Sequence, residues 1–280
     1  MPDLRLPDEP PPVLSEEVKA ARSSSFGAVA SRYERYRPGP PDDAVAWILP
    51  ESVNTVVDLG AGTGALTRLL GARAHHVVAV EPDSRMRAVL TEQVANVTAV
   101  DGRGEAIPVA DVSVDAVVAS SSWHWMDPVA ALGEVHRVLV PGGVLGVMWT
   151  GPDRAGPFMD RVRALLGYGT DGVEEVPEAA GLRETLGEDL GRIEYVLEIP
   201  TGLPFTEPEY RSFVWDMGMT ADELIGLLGT MSWIITMEPA KRDEVLDVAR
   251  ILLRDRLGTE GDARVDVTFR CDAFRARTTR

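Results

Sequence analysis

A chain of 280 residues that is 45% hydrophobic can bury a sizeable core, as one large domain or two modest ones. Its 28 Lys plus Arg face 44 Asp plus Glu, and the resulting net charge of -16 argues against a nucleic-acid partner, which needs a positive footprint. No run approaches ~18 consecutive apolar residues, no charged-then-apolar leader opens the chain, and one cysteine, Cys271, excludes an internal disulfide. The expectation is a cytoplasmic protein without membrane association, a monomer or a homodimer.

In chain order, residues 1–14 (MPDLRLPDEPPPVL) combine proline and acid without an apolar period and predict a flexible tail. A helical pattern from Ser15 to Tyr36 is stopped by Arg37-Pro38-Gly39-Pro40-Pro41, and a second helix runs from Asp42 or Asp43 to Leu49, so 15–50 forms a leading helical segment. Residues 51–150 read as the ligand-binding core. Within VNTVVDLGAGTGALTRLL (53–70), Val53, Val56 and Val57 suit a buried strand, and Leu66, Leu69 and Leu70 share a helical face. Between them, Gly60, Gly62 and Gly64 leave the main chain bare at alternate positions, so a ligand can approach it closely.

VVAV (77–80) is a second strand ending in Glu81, followed by Pro82 and a helix carrying Asp83 and Met86. Thr98 to Val100 is a third strand, leading into DGRGEAIP with Gly104 and Glu105. Ser113 to Ala119 is a fourth, and Ser120, Ser121, Ser122, Trp123, His124 and Trp125 spill over its tip, where open parallel sheets bind ligands. Asp127-Pro128 opens a helix to about Leu139, and Pro141-Gly142-Gly143 turns into a fifth strand from Val144 to Trp149.

Residues 151–280 complete the sheet. The alternations Ile193-Tyr195-Leu197-Ile199 and Val265-Val267-Phe269-Cys271 predict its two final strands, antiparallel to one another at one edge. Capping boxes Thr206-x-x-Glu209 and Thr220-x-x-Glu223, and a helix from about Pro239 to Leu257, predict a helical lid over about 206–257.

Gly60-x-Gly62-x-x-Ala65 also satisfies a loose dinucleotide fingerprint, but Asp58 immediately before it would repel a pyrophosphate. S-adenosylmethionine, with a sulfonium and an ammonium group, fits an acid there better than NAD does. Glu81 can accept from both ribose hydroxyls, and Met86 either offers its thioether to an adenine face or belongs to the core. His124 has the unperturbed pKa of a base at neutral pH, yet between Trp123 and Trp125 it serves equally as a wall or an orienting donor. Cys271 reads as a buried bystander, and the dispersed histidines predict no metal.

VVDLGAGTGALTRLL resembles the first motif of class I S-adenosylmethionine-dependent methyltransferases; VVAVEPDSRM, SVDAVVASSSWHWMD and LGEVHRVLVPGGVLGVMW are similar to its later ones. FGAVASRYERYRPGPP with HWMD resembles the small-molecule subgroup that includes trans-aconitate methyltransferase. The resemblance implies a Rossmann-like α/β fold: a seven-stranded mixed sheet with helices on both faces and a helical lid inserted between the last two strands. It implies a cofactor site from Tyr33, Asp58, Gly60, Ala61, Gly62, Gly64, Glu81, Pro82, Met86, Gly104, Glu105 and Ser120. The family often carries an aspartate where Arg103 stands, so Gly102, Gly104 and the backbone are left for the adenine edge, and Glu105 also reads as structural. Tyr36, Trp123, His124, Trp125, Trp215, Met219 and Trp233 are the candidate acceptor-binding residues, with His124 a base or an orienting group. Arg32, Arg35, Arg37 and Arg211 could pair with an acidic acceptor.

The expected activity is methyl transfer from S-adenosylmethionine to a small molecule, most simply to a carboxylate or hydroxyl oxygen, with nitrogen or carbon as the alternative acceptor atoms. The rival readings are an NAD-linked oxidoreductase and a non-catalytic regulator on the same fold.

Overall fold

The computed structural model describes residues 25–165, 195–257 and 262–279. A 3-10 turn at Phe26–Val29 leads into α1 (Ala30–Tyr36), and α2 (Asp42–Ile48) follows the proline-rich break. Strands and helices then alternate: β1 (Thr55–Leu59), α3 (Ala65–Gly71), β2 (His76–Val80), α4 (Ser84–Gln93), β3 (Thr98–Val100), β4 (Val114–Ser120), α5 (Pro128–Val138) and β5 (Leu139–Pro152). The chain continues through α6 (Pro157–Leu165), β6 (Glu209–Met219), α7 (Ala221–Leu228), α8 (Ser232–Ile235), α9 (Pro239–Leu257) and β7 (Val265–Arg277). The strands form one 7-stranded sheet, in the order β3-β2-β1-β4-β5-β7-β6. It is parallel except at β7, which runs antiparallel to both β5 and β6. This is the mixed sheet expected of a Rossmann-like methyltransferase.

β1 lies in the middle of the parallel half and is buried on both faces. On one side Val56 packs with Val45 and Ile48 of α2 and with Leu66 and Leu70 of α3. On the other, Val57 and Leu59 pack with Val117, Leu145 and the α5 residues Leu132 and Val135. Each such side chain contributes about 1.5–3 kcal/mol when fully buried, so the strand's position is fixed by packing before any ligand arrives. The period of two places Asp58 on the α3 face with Val56. Asp127 caps α5 by accepting from the Ala130 N–H at 2.8 Å, with Pro128 in the first turn.

A second core lies under the helices that follow β6. Val245, Leu252 and Leu253 of α9 and Leu224 and Ile225 of α7 close over Val265, Val267 and Phe269 of β7. The capping box at Thr220 forms as expected: the Glu223 N–H donates to the Thr220 hydroxyl, and the Thr220 N–H donates back to the Glu223 carboxylate.

The other expectations for the second half require correction. Residues 195–200 form no strand; Leu197 is instead a single buried anchor in the α5-side core, and Ile193 lies outside the described residues. The edge strand is β6, in which Phe213, Trp215, Met217 and Met219 turn inward while Glu209 to Ser212, Val214 and Asp216 are exposed. Thr206 starts no helix, because Glu209 enters β6 and pairs there with Arg275 of β7. The Thr206 hydroxyl accepts from the Arg277 N–H at 3.0 Å. The helical insertion between the last two strands therefore begins at Ala221, not near 206. The leading helix is likewise interrupted, with a 3-10 turn before Ala30, and residues 1–24 lie outside the described residues.

Candidate cofactor and acceptor site

The glycine loop hangs from the carboxyl end of β1. The N–H groups of Gly60 and Ala61 both donate to the carbonyl of Val80, at 2.8 and 3.1 Å, which ties the loop to the end of β2. Gly60, Gly62 and Gly64 take φ of +71°, +57° and +95°, a region that costs an L side chain roughly 1–2 kcal/mol. A Cβ on Gly60 would collide with Ser122, and one on Gly64 with Val94 and Leu90, whereas one on Gly62 would meet nothing within 4 Å. The space beside the Gly62 backbone is open, which leaves the loop a cradle for a ligand.

Two carboxylates stand at this cradle. Glu81 is 8% exposed. Its Oε2 accepts from the Gly62 N–H and its Oε1 from the Asp83 N–H, each at 2.9 Å, so the acid is aimed by the loop it serves. Burial raises its pKa, and the two backbone N–H groups oppose that rise. Asp58 is 1% exposed; Oδ2 accepts from the Thr67 hydroxyl at 2.6 Å, and Oδ1 has no hydrogen-bond partner. Burial pushes its pKa up to about 7, Thr67 resists the shift, and the charge of Glu81 adds to it. An orphaned buried acceptor is costly unless a donor arrives. A ligand ammonium at Asp58, hydroxyls at Glu81 and a close main-chain approach at Gly62 match S-adenosylmethionine group for group.

The other expected cofactor residues are more dispersed. Pro82 is exposed beside Glu81, Met86 is buried on α4 at 4% exposure, and Ser120 ends β4. Glu105 is engaged structurally, since its Oε1 accepts from the Asp127 N–H at 2.7 Å. Gly104 is buried against the sulfur of Met126, whose methyl group also lies 3.6 Å from a Cβ position on Gly60. Met126 thus links the first loop to the third, a contact with no sequence pattern behind it. Arg103 is exposed and bridges to Ala106.

Beyond β4, a 3-10 turn at Trp123–Trp125 presents the aromatic cluster. Trp123 turns inward, 5% exposed in the α5-side core. His124 lies 4.4 Å from Trp125 and 5.0 Å from Tyr195, ring centre to ring centre, and Trp149 stacks on Tyr195 at 5.0 Å and 4°. The Trp149 indole N–H donates to Nδ1 of His124 at 3.1 Å. An indole nitrogen only donates, so Nδ1 is the acceptor nitrogen and the proton of the neutral ring is on Nε2. Phe26 closes the cluster from the other side, edge to face with Trp125 at 5.9 Å and with Tyr33 at 5.6 Å. Sequence reasoning missed Phe26, Trp149 and Tyr195: a lone Phe and a strand-end Trp look like core until the partner is seen.

Tyr36 packs its ring against Gly226 of α7, where a Cβ would sit 2.5 Å from the ring atoms. The lid placement expected for Trp215 and Met219 needs correction. Trp215 and Met219 lie on β6, not in a helical lid; Trp215 stacks on Phe269 at 5.7 Å, and Met219 and Trp233 pack in the same second core. Arg35 lies over the ring of Tyr36 and Arg211 over Phe213, both exposed.

Residues 57–147 match the family model described as a methyltransferase domain. An uncharacterized methyltransferase of Mycobacterium tuberculosis is 38% identical over 231 residues, covering 82% of this chain and 86% of that protein. A malonyl-[acyl-carrier protein] O-methyltransferase of Pectobacterium atrosepticum is 31% identical over 131 residues, covering 45% of this chain and 52% of its own length. Among solved structures, a protein described as a type II methyltransferase from Anaeromyxobacter dehalogenans superposes with a TM-score of 0.57 at 22% identity, over 87% of this chain and 98% of that one, and so shares the fold. With its glycine loop, paired acids and more than four-fifths of its length aligned to the Mycobacterium relative, the chain belongs to the S-adenosylmethionine-dependent methyltransferases.

Proposed function

We propose that this methyltransferase acts on an oxygen of a small-molecule acceptor, preferentially a carboxylate, by positioning and water exclusion rather than by base catalysis. The observation that carries this reading is the bond from Trp149 to Nδ1 of His124. Base catalysis through Nε2 would need the proton on Nδ1, where it would point at the Trp149 N–H. His124 is therefore an orienting donor in this reading, and an acceptor already ionised at neutral pH needs nothing more. The Pectobacterium relative, by its name an O-methyltransferase, agrees with oxygen as the target.

The cofactor, when bound, supplies an electrophilic methyl carbon on a sulfonium. Glu81 holds the ribose hydroxyls, Asp58 the ammonium, and Gly60 to Gly64 admit the ligand to the backbone; Met86 and Gly104 line the adenine side. Phe26, Tyr33 and Trp125 close over the cleft. An acceptor held at ~3–3.5 Å from the methyl carbon gains about 7–11 kcal/mol from positioning, which exceeds what a base contributes. The helices from Ala221 to Leu257 act as a cover bound to α1. The site requires no metal, and the protein works in the cytoplasm as a monomer or homodimer.

The test is to incubate the protein with S-adenosylmethionine and matched panels of small carboxylic acids, phenols and amines, and to identify methylated products by mass spectrometry. Methyl esters or ethers are expected. Methylation confined to nitrogen or carbon would overturn the oxygen assignment, and tight S-adenosylhomocysteine binding without turnover on any panel would favour the regulatory rival.

A further inference from the structure

Among the described residues, Asn96, Val112 and Ser121 hold a positive φ without being glycine. Asparagine tolerates that backbone, and Val112 lies in an exposed turn before β4, at its amino end. Ser121 stands elsewhere. It follows β4 at the carboxyl end, on the ligand side of the sheet, with a φ of +53°. A non-glycine residue in this region costs stability, persists only where its surroundings hold it, and is found most often at functional sites. Glycine would take the same backbone without the cost. What serine adds is a hydroxyl.

The surroundings hold Ser121 from three directions. Its N–H donates to the Met148 carbonyl at 2.7 Å, which binds it to β5. The next residue, Ser122, is buried; its hydroxyl donates to the Leu59 carbonyl at 2.7 Å, and its Cβ would lie 2.5 Å from a Cβ on Gly60. Three residues after Ser121, His124 is held by the Trp149 indole. Ser121 is therefore bracketed by the loop that receives the cofactor and by the aromatic turn on the acceptor side. Its own hydroxyl accepts from the Thr150 N–H at 3.4 Å and donates to no group among the described residues. That contact is at the long end of a hydrogen bond and is weak recompense for a left-handed backbone. The proton of the hydroxyl is left for a ligand.

We propose that Ser121 is a catalytic residue whose hydroxyl donates a hydrogen bond to the acceptor carboxylate, on the oxygen that does not attack. The other oxygen is thereby turned toward the methyl carbon. The inference rests on the oxygen-acceptor reading above and supplies that reading with a residue. As the attacking oxygen forms its bond to the methyl carbon, the carbon–sulfur bond breaks and its electron pair stays on sulfur. Carboxylate and sulfonium give a neutral ester and a neutral thioether, and no proton moves. A donor that orients is thus sufficient, and a rigid, over-determined backbone is what positioning requires.

Two substitutions separate the hydroxyl from the backbone that presents it. Ser121→Ala removes the hydroxyl and keeps the unfavourable φ, whereas Ser121→Gly removes both. For each whole chain, thermal melts, calorimetry with S-adenosylhomocysteine, and kcat and KM are measured with the carboxylic acid that the parent methylates fastest. Both variants are expected to bind S-adenosylhomocysteine as the parent does and to lose about 10- to 100-fold in kcat/KM. Ser121→Gly should do so with a melting temperature at or above the parent's. Turnover equal to the parent's in both variants would overturn the proposal and leave Ser121 a cap on the Thr150 N–H. A parallel loss of S-adenosylhomocysteine affinity would also overturn it, since the left-handed backbone would then serve the glycine loop through Ser122. A parent that methylates no carboxylic acid would overturn the acceptor reading itself, and this inference with it.

Discussion

Trp149, at the end of β5, donates its indole N–H to Nδ1 of His124, in the turn after β4, across 3.1 Å. The bond orients the ring and leaves the proton of the neutral imidazole on Nε2, the arrangement an orienting donor requires. Glutamine presents a similar acceptor and donor in one plane and is the informative replacement. His124→Gln is expected to keep kcat within about tenfold of the parent, with His124→Ala lower, each change on the scale of a lost hydrogen bond. A loss of about 10²- to 10⁴-fold in both variants, with a new slope in the pH–rate profile, is what a general base would give and would remove the donor role.

Asp58 makes the unliganded protein sensitive to pH. Burial raises its pKa from 3.8 to about 7, so the folded state holds a proton there that the unfolded chain has released. Its stabilising contribution is complete below pH ~4 and is lost as pH rises through 7. Asp58→Asn keeps an acceptor for Thr67 and removes the titration. The variant should therefore gain on the parent in thermal melts between pH 5 and pH 8, by about 2 kcal/mol, while binding S-adenosylhomocysteine more weakly. An equal gap at both pH values would mean that Asp58 is ionised throughout.

Gly60 and Gly62 share a left-handed backbone but differ in their surroundings, so their alanine variants separate strain from occupancy. Gly60→Ala adds a collision with Ser122, 2.5 Å from the new Cβ, to the cost of its φ. It should lose about 3 kcal/mol or more of stability. Gly62→Ala meets open space and should lose only about 1–2 kcal/mol, yet its methyl group enters the cradle and should weaken S-adenosylhomocysteine by tenfold or more. Affinity unchanged in Gly62→Ala would show that the ligand does not approach this part of the loop.

At Gly226 the sign of a routine substitution should invert. Alanine in a helix interior usually gains roughly 0.5–1 kcal/mol over glycine. Here the new Cβ would lie 2.5 Å from the Tyr36 ring. Gly226→Ala is expected to lower stability by about 1–3 kcal/mol and to raise KM by displacing α1 from α7, with Tyr36→Ala restoring part of the stability in the double variant. A more stable single variant would mean that the cover yields at no cost.

The half of the chain that carries the cofactor loop was legible because there local and global signals agree. Val56 to Gly64 needs β-branched residues for a doubly buried strand and glycine for a positive φ, and both requirements are visible in the residue types. Asp127, Thr220, and the limits of Pro239–Leu257 were legible for the same reason, since caps are local chemistry. The edge strand was not: Glu209 to Ser212 are all exposed, so its first four residues carry no inward period, and the alternation begins only at Phe213. Phe26 and Trp149 escaped because their meaning lies in Trp125 and His124, 99 and 25 residues away, and no spacing rule connects them. The acids and glycines of the site could be named from sequence, whereas the tautomer of His124 and the left-handed backbone of Ser121 exist only once the chain is folded.

The strand order has a consequence for how the molecule comes into being. β7 follows every other strand in the chain, yet it lies between β5 and β6 and is paired along both of its edges. Until it arrives, β6 has no neighbour and the long edge of β5 is open. On the ribosome, at about 5–20 residues per second, that interval lasts a few seconds, in which the cofactor half can already be built while half-formed strands remain sticky. Glu209, Arg211 and Asp216 on β6 and Asp266, Arg270 and Asp272 on β7 place charge along those waiting edges, which discourages them from joining another nascent chain.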